Sequence, residues 1–271
     1  MPGILWLASY PKSGNTWMRT FLANLIVDSK APLPVNKVSE ICSGEANIMW
    51  YEKAFNKPLE EVHEQEVADV RVNIQREISK RSKNVLILKT HNFLGEYLGK
   101  PLIAMDATGA AIYIVRDPRD VVISAADHFG VSIDDAIGIM AKDTSKSDKP
   151  IYEVYNSWSN HVMSWTQIPH KTLIVQKYED MLDNPSETFG SVARKLGITK
   201  DEKRIQRAIE HSSFKVLQKL EQKDGFTEKS KNSERFFRSG KSEQWKSVLT
   251  NKQIKQIEKD HGQQMRRFGY L

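Results

Sequence analysis

Ile4-Leu5-Trp6-Leu7-Ala8-Ser9-Tyr10-Pro11-Lys12-Ser13-Gly14-Asn15-Thr16-Trp17 is the stretch that decides the fold. An apolar run is followed by a short polar loop, and Met18, Phe21, Leu22, Leu25 and Ile26 then recur at helical spacing. The order is strand, tight loop, helix start. Backbone N–H groups at a helix N-terminus point outward and carry partial positive charge, so such a loop cradles an anion, typically a phosphate. Lys12 adds a full charge, Ser13 and Thr16 add hydroxyls, and Gly14 lets the backbone approach its ligand. The pattern G-x-x-x-x-G-K-[ST] cannot be written on it, so the loop is P-loop-like without being the usual nucleoside-triphosphate loop. An ordinary strand-to-helix turn accounts for Gly14, but not for Lys, Ser, Gly and Thr together.

Working outward, Val85–Lys89, Ala111–Val115 and Thr172–Gln176 read as further strands, short and often β-branched as a sheet covered on both faces requires. Asp117-Pro118 supplies an N-cap and a first-turn proline ahead of Val121, Val122 and Ala125. Asn184-Pro185 with Glu187 does the same ahead of Phe189, Val192 and Leu196, and Gly197 closes that helix. Ile254, Ile257, His261, Met265 and Phe268 keep helical spacing near the end. Alternating strands and helices predict an α/β fold, one domain over residues 1–271 with a central parallel β-sheet flanked by helices. Residues 140–150 and 221–242 read as polar loops of the kind that form lids or binding loops.

The length of 271 residues suffices for a well-buried sheet, and 39% hydrophobic with 27% charged residues is ordinary for a globular chain. The N-terminus lacks a basic-then-apolar signal pattern, and Ile4–Ser9 is too short to span a bilayer. Cys42 is the sole cysteine, which excludes an internal disulfide and fits a reducing compartment. The expected location is the cytoplasm. The net charge of +6 is uneven: residues 200–271 hold 18 Lys and Arg against 10 Asp and Glu. That surplus fits a nucleic-acid surface, a positive lid over a polyanionic ligand, or a solvated helix face.

Two further segments carry chemistry. Leu88-Lys89-Thr90-His91 ends a strand in polar residues, and alternation puts Lys89 and His91 on one face with Thr90 on the other. Ligands of parallel sheets sit beyond the carboxyl ends of the strands, which would bring His91 to the Lys12 loop. Histidine is the side chain suited to removing a proton near neutral pH. The other segment, Val115-Arg116-Asp117-Pro118-Arg119-Asp120 with Ser124 beyond it, offers a guanidinium and a hydroxyl as a phosphate clamp. Asp117 and Asp120 read as helix caps and Arg119 as a surface ion-pair member.

As an ordered set these segments resemble the nucleotide-dependent sulfotransferase family, particularly its cytosolic members, and the likeness spans essentially the whole chain. Tyr10–Trp17 is similar to that family's 5′-phosphosulfate loop, Lys89-Thr90-His91 to the segment with its general base, and Arg116 and Ser124 to its 3′-phosphate pair. Tyr155-Asn156-Ser157-Trp158 with His161, Val162 and Trp165 resembles a helix of the fold, with its aromatics read as core. Tyr178 and the Ser212-Ser213-Phe214 run are similar to adenine-contacting positions. Phe237-Arg238-Ser239-Gly240 resembles the C-terminal 3′-phosphate loop, where Ser239 replaces the usual Lys. Glu243-Gln244-Trp245 departs from the usual Gly-Asp-Trp. Of the family's dimer motif Lys246 and Thr250 fit, whereas Asn251 and Lys255 do not.

The resemblance implies a sulfotransferase using 3′-phosphoadenosine 5′-phosphosulfate (PAPS) and releasing adenosine 3′,5′-bisphosphate (PAP), with no metal. The implied donor site comprises Lys12, Ser13, Gly14, Asn15, Thr16, Trp17, Arg116, Ser124, Tyr178, Ser213, Phe214, Arg238, Ser239 and Gly240. His91 would take the acceptor's proton, with Lys12 and Lys89 offsetting charge on the transferring group and leaving oxygen. The C-terminal surplus then has a small-molecule explanation, with no nucleic-acid partner. A small-metabolite or nucleoside kinase and a basic nucleic-acid-binding protein are the alternatives. The acceptor stays open among phenols, alcohols, lipids, sugars and peptides, as does the oligomeric state. Trp50, Tyr51, Phe55, His128 and Phe129 could shape the acceptor pocket or belong to the core.

Overall fold

Five parallel strands form the centre of the molecule in a computed structural model that describes residues 3–81 and 85–271. The strands are β1 (Ile4–Ser9), β2 (Cys42–Gly44), β3 (Leu86–Thr90), β6 (Thr108–Val115) and β7 (Leu173–Lys177), in spatial order β2-β3-β1-β6-β7. A separate two-residue hairpin pairs β4 (Glu96–Tyr97) with β5 (Lys100–Pro101). Every residue of β1 is buried, as expected for the middle strand of a sheet covered on both faces. On one side Trp6, Leu88 and Tyr113 pack with Val121, Trp158 and Trp165; on the other Leu5, Leu7 and Ile112 pack with Met18, Phe21 and Phe189.

Three predicted strands shift at their ends. Val85 is 61% exposed and outside the ladder, so β3 starts one residue later and runs through Thr90. β6 begins at Thr108, where a register irregularity lets Gly109 pass close to Gly3. β7 likewise starts and ends one residue late. The edge strand β2 is too short, at three residues, to leave a periodic signature.

The helix Asn15–Val27 leaves β1 through the polar loop, and Pro118–Phe129 leaves β6, with the Asp117 carboxylate accepting from the Arg119 amide as its N-cap. Asn184 precedes Pro185–Lys195, but its side chain makes no capping bond. Gly197, at φ +67°, closes that helix with its amide on the Arg194 carbonyl. The 140–150 segment is loop from Lys142 onward, whereas the 221–242 segment begins inside the helix Phe214–Asp224. No helix among the described residues is long and apolar enough to cross a membrane.

A buried polar network fixes the far side of β3. Arg71 bonds both Glu45 oxygens at 2.7 and 2.8 Å, and Gln75, Tyr51 and Asn92 bond the same carboxylate. Asn92 adjoins His91 and also binds the Val154 amide and the Trp165 indole N–H, so the end of β3 is held from several directions.

Candidate active site

The parallel register brings the carboxyl ends of β1, β3 and β6 side by side, and a cavity of about 650 Å³ opens beyond them. Its floor is the loop after β1. Lys12 and Gly14 both take positive φ, 68° and 102°, which turns the chain sharply into the helix. The Ser13 amide bonds the Tyr10 carbonyl and the Trp17 amide bonds Gly14, while the amides of Gly14, Asn15 and Thr16 have no acceptor among the described residues. These are the first helical N–H groups, and they carry the positive end of the helix dipole. The Asn15 side chain instead donates back to the Leu7 carbonyl, tying loop to strand. The Ser13 hydroxyl is fully buried, has no partner among the described residues, and stays off the cavity wall.

Arg116 is the hinge of the arrangement. Its Nη1 donates to the Lys12 carbonyl at 3.1 Å and its Nη2 to the Lys241 carbonyl at 3.2 Å. Its guanidinium also lies 4.1 Å from the centre of the Tyr178 ring. Ser124 lines the same wall two turns along the helix Pro118–Phe129. The segment after Asp224 closes the cavity and is bound at several points. Glu221 accepts from the Phe236 and Phe237 amides, Arg19 forms a bidentate pair with Glu228, and Lys12 Nζ lies 4.4 Å over the Phe236 ring. Arg238, Ser239 and Gly240 thus reach the wall beside Phe214. Gly240, at φ +62°, sits so close to Phe214 that a Cβ would lie 2.5 Å from that ring. Ser213 stands at the N-cap of the following helix, off the cavity wall.

Two sequence readings change here. Asp120 does not cap its helix: its carboxylate accepts from the Glu243 and Trp245 amides and pins the C-terminal segment. Arg119 is buried, not superficial, held by Asp117, Glu258 and the Tyr270 carbonyl and stacked 3.8 Å from Trp245. The surplus of C-terminal cations is also mostly elsewhere. Of those 18 Lys and Arg, Lys229 and Arg238 line the cavity, whereas Lys252, Lys255 and Lys259 lie exposed on the last helix. The positive-lid explanation therefore covers a small part of that charge.

The cavity itself is strongly cationic. Seven Lys and Arg line it against Glu153 and Glu228, which are paired with Lys89 and Arg19, so an excess of positive charge faces the interior. Burial, aided by Arg116 and Arg238 and opposed by Asp127, lowers Lys12 to about 8.

At the end of β3, Lys89 and His91 both line the cavity while Thr90 is fully buried behind them. His91 Nδ1 lies 2.8 Å from the Ser9 carbonyl, which can only accept, so Nδ1 carries the proton and Nε2 is left with a free lone pair. Burial, reinforced by the Lys89 charge, holds the imidazole well below its ordinary value, so it is neutral at pH 7. Sequence reasoning missed Glu153, which bonds Lys89 and the His91 amide. The available signal was a lone acid inside the apolar run Ile151-Tyr152-Glu153-Val154, since a buried carboxylate needs partners. Tyr51 packs in the core with Trp50 and Phe55 against it, whereas His128 and Phe129 are on the cavity wall. The His128 Nδ1 is buried without a partner among the described residues.

These features suit a transferase that binds a polyanionic donor carrying an aromatic group beside an unprotonated imidazole. Comparison with known proteins narrows that class. Residues 2–269 match a family profile described as the sulfotransferase domain, and the chain belongs to the sulfotransferase family. It is a PAPS-dependent sulfotransferase. Sulfotransferase 1A1 of Canis lupus familiaris is 24% identical, the alignment covering 97% of this chain and 84% of that protein. Flavonol 3-sulfotransferase of Flaveria bidentis is 26% identical, covering 95% and 80%. Among solved structures, retinol dehydratase in complex with androsterone and the inactive cofactor PAP superposes with a TM-score of 0.66 at 20% identity, covering 97% of this chain and 80% of that one. Mouse sulfotransferase SULT7A1 complexed with PAP gives 0.61 at 21%, covering 97% and 84%. At these identities the structural likeness speaks to the fold.

Proposed function

We propose that residues 1–271 act as one catalytic domain that moves the sulfuryl group of PAPS to a hydroxyl or amine of a small-molecule acceptor in the cytoplasm. The observation that carries this reading is the His91–Ser9 bond of 2.8 Å, which leaves an unprotonated Nε2 on a wall shared with the anion-cradling loop. The donor's 5′-phosphosulfate would lie on Lys12, the amides of Gly14, Asn15 and Thr16, and the Thr16 hydroxyl. Its 3′-phosphate would meet Arg116, Ser124 and the Arg238-Ser239-Gly240 turn, with adenine among Trp17, Tyr178 and Phe214. The acceptor oxygen attacks sulfur in line with the departing 5′-phosphate oxygen. One S–O bond forms as the other breaks, the acceptor proton passes to His91 Nε2, and PAP leaves. Positioned proton transfer of this kind contributes roughly 10²–10⁴-fold. Lys12 and Lys89 offset the charge that develops on the leaving oxygen and transferring group.

Incubation with ³⁵S-labelled PAPS and panels of phenols, aliphatic alcohols and amines tests the reaction. Labelled acceptor with stoichiometric PAP is the expected result. A protein that binds PAP yet labels none of these classes would contradict the assignment of acceptor chemistry.

A further inference from the structure

We infer that Glu153 is a positioning residue for sulfuryl transfer, one carboxylate that sets both the Lys89 ammonium and the main chain of His91. Its kinetic consequence rests on the reaction proposed above; its geometry does not.

The Lys89 Nζ lies 3.2 and 3.0 Å from the two Glu153 oxygens, and Oε1 also accepts the His91 amide at 2.7 Å. The side chain of Glu153 is 7% exposed. Burial alone would raise its pKa, but Lys89 and the His91 amide overcome that and hold it at about 2, so it is ionised at every working pH. Ser147 braces the residue from both sides: the Glu153 amide donates to Ser147 Oγ and the Ser147 amide donates to the Glu153 carbonyl, each at 2.8 Å. The carboxylate therefore has a fixed place.

A lysine ammonium is a point charge on a flexible four-carbon stem, and without a restraint it samples many rotamers. Charge stabilisation in a transfer site depends on charges already in place when the reaction begins. Glu153 provides that restraint by engaging two of the three Lys89 N–H donors and leaving the third for the cavity that both residues line. It also compensates a charge beside the base. His91 faces Lys89, Glu153, His161, the Ser9 carbonyl and Tyr155; Lys89 and His161 oppose its protonation, whereas Glu153 and Ser9 favour it. Loss of the Glu153 charge would leave Lys89 uncompensated next to the imidazole and weaken it as a base. The site that accepts the proton and the site that supports the sulfuryl group are thus coupled through one residue.

The test uses Glu153→Gln, which keeps size and hydrogen bonding to the His91 amide but removes the charge, with Glu153→Asp as the charge-retaining partner. In Glu153→Gln, kcat should fall roughly tenfold to a hundredfold, as for a small misplacement of reacting groups, while PAP affinity stays within about threefold. Glu153→Asp should recover part of the loss. A second readout needs no acceptor: the ¹H–¹⁵N signal of the Lys89 ammonium in the PAP complex should be resolved in wild type, lost in Glu153→Gln and regained in part in Glu153→Asp. A Lys89 signal that persists in Glu153→Gln overturns the proposal, as does a parallel loss of PAP affinity and kcat, which would mark a merely structural residue. If wild type transfers no sulfuryl group, the reaction reading fails separately, because the ammonium signal still decides the positioning claim. If Glu153→Gln does not fold, Glu153→Asp decides: a kcat and a Lys89 signal both indistinguishable from wild type, where partial loss is expected, overturn it.

Discussion

The guanidinium of Arg116 stacks 4.1 Å from the ring of Tyr178 while its Nη1 holds the Lys12 carbonyl at 3.1 Å, so one side chain ties the loop after β1 to the helix that begins at Tyr178. Tyr178 in turn touches that loop: a Cβ added to Gly14 would lie 2.6 Å from its ring. Arg116→Ala should weaken PAP binding by at least tenfold while changing 5′-AMP binding much less, since charge-assisted bonds to a phosphate are the strong ones. Paired titrations of wild type and variant check this. Equal losses for both nucleotides would instead assign Arg116 to scaffolding of the Lys12 and Lys241 segments.

Gly14→Ala should fold but bind PAP at least tenfold more weakly. The left-handed conformation at φ 102° costs an alanine about 1–2 kcal/mol, and the new methyl group must displace Tyr178. Calorimetry, with circular dichroism as the folding control, measures it.

Donor binding should take up protons near pH 8. Burial lowers free Lys12 to about 8, so about half the molecules lack that charge at pH 8, and an arriving polyanion restores it. Titrating PAP in buffers of different ionisation enthalpy should show uptake approaching half a proton at pH 8 and about none from Lys12 at pH 6. Affinity should accordingly fall as pH rises through 8.

The role proposed for His91, taking the acceptor proton without holding the nucleotide, predicts that His91→Ala loses about 10²–10⁴-fold in turnover and keeps PAP affinity within about threefold. In wild type burial and the Lys89 charge hold His91 well below its ordinary value and keep the base form in place, so kcat/KM should show no acid limb from this residue around neutral pH. An acid limb near pH 7 that disappears in His91→Ala would contradict the burial argument.

Much of this was legible in the sequence because the signals are local. The strand at Ile4–Ser9, the loop behind it, the capped helix after Asp117 and the polar end of β3 depend on neighbours a few residues away. What the sequence left hidden depends on distant partners. Asp120 reads as a cap until the Glu243 and Trp245 amides occupy its carboxylate, more than 120 residues away along the chain. Arg119 reads as superficial until the last helix and Tyr270 cover it. Glu153 lies in a segment without periodicity, and its partners Lys89 and His91 sit at and just beyond the end of a strand far upstream. The C-terminal charge misleads for the opposite reason: composition counts cations without saying which face they occupy.

The most direct measurement is calorimetric titration of the wild-type protein with PAP, with 5′-AMP and ATP–Mg²⁺ as comparators. A site built from the Lys12 loop at one end and Arg116 with Arg238 at the other predicts tight PAP binding, with AMP at least tenfold weaker for want of the 3′-phosphate and ATP–Mg²⁺ not preferred. No binding of PAP, or tighter binding of ATP–Mg²⁺, would contradict the account.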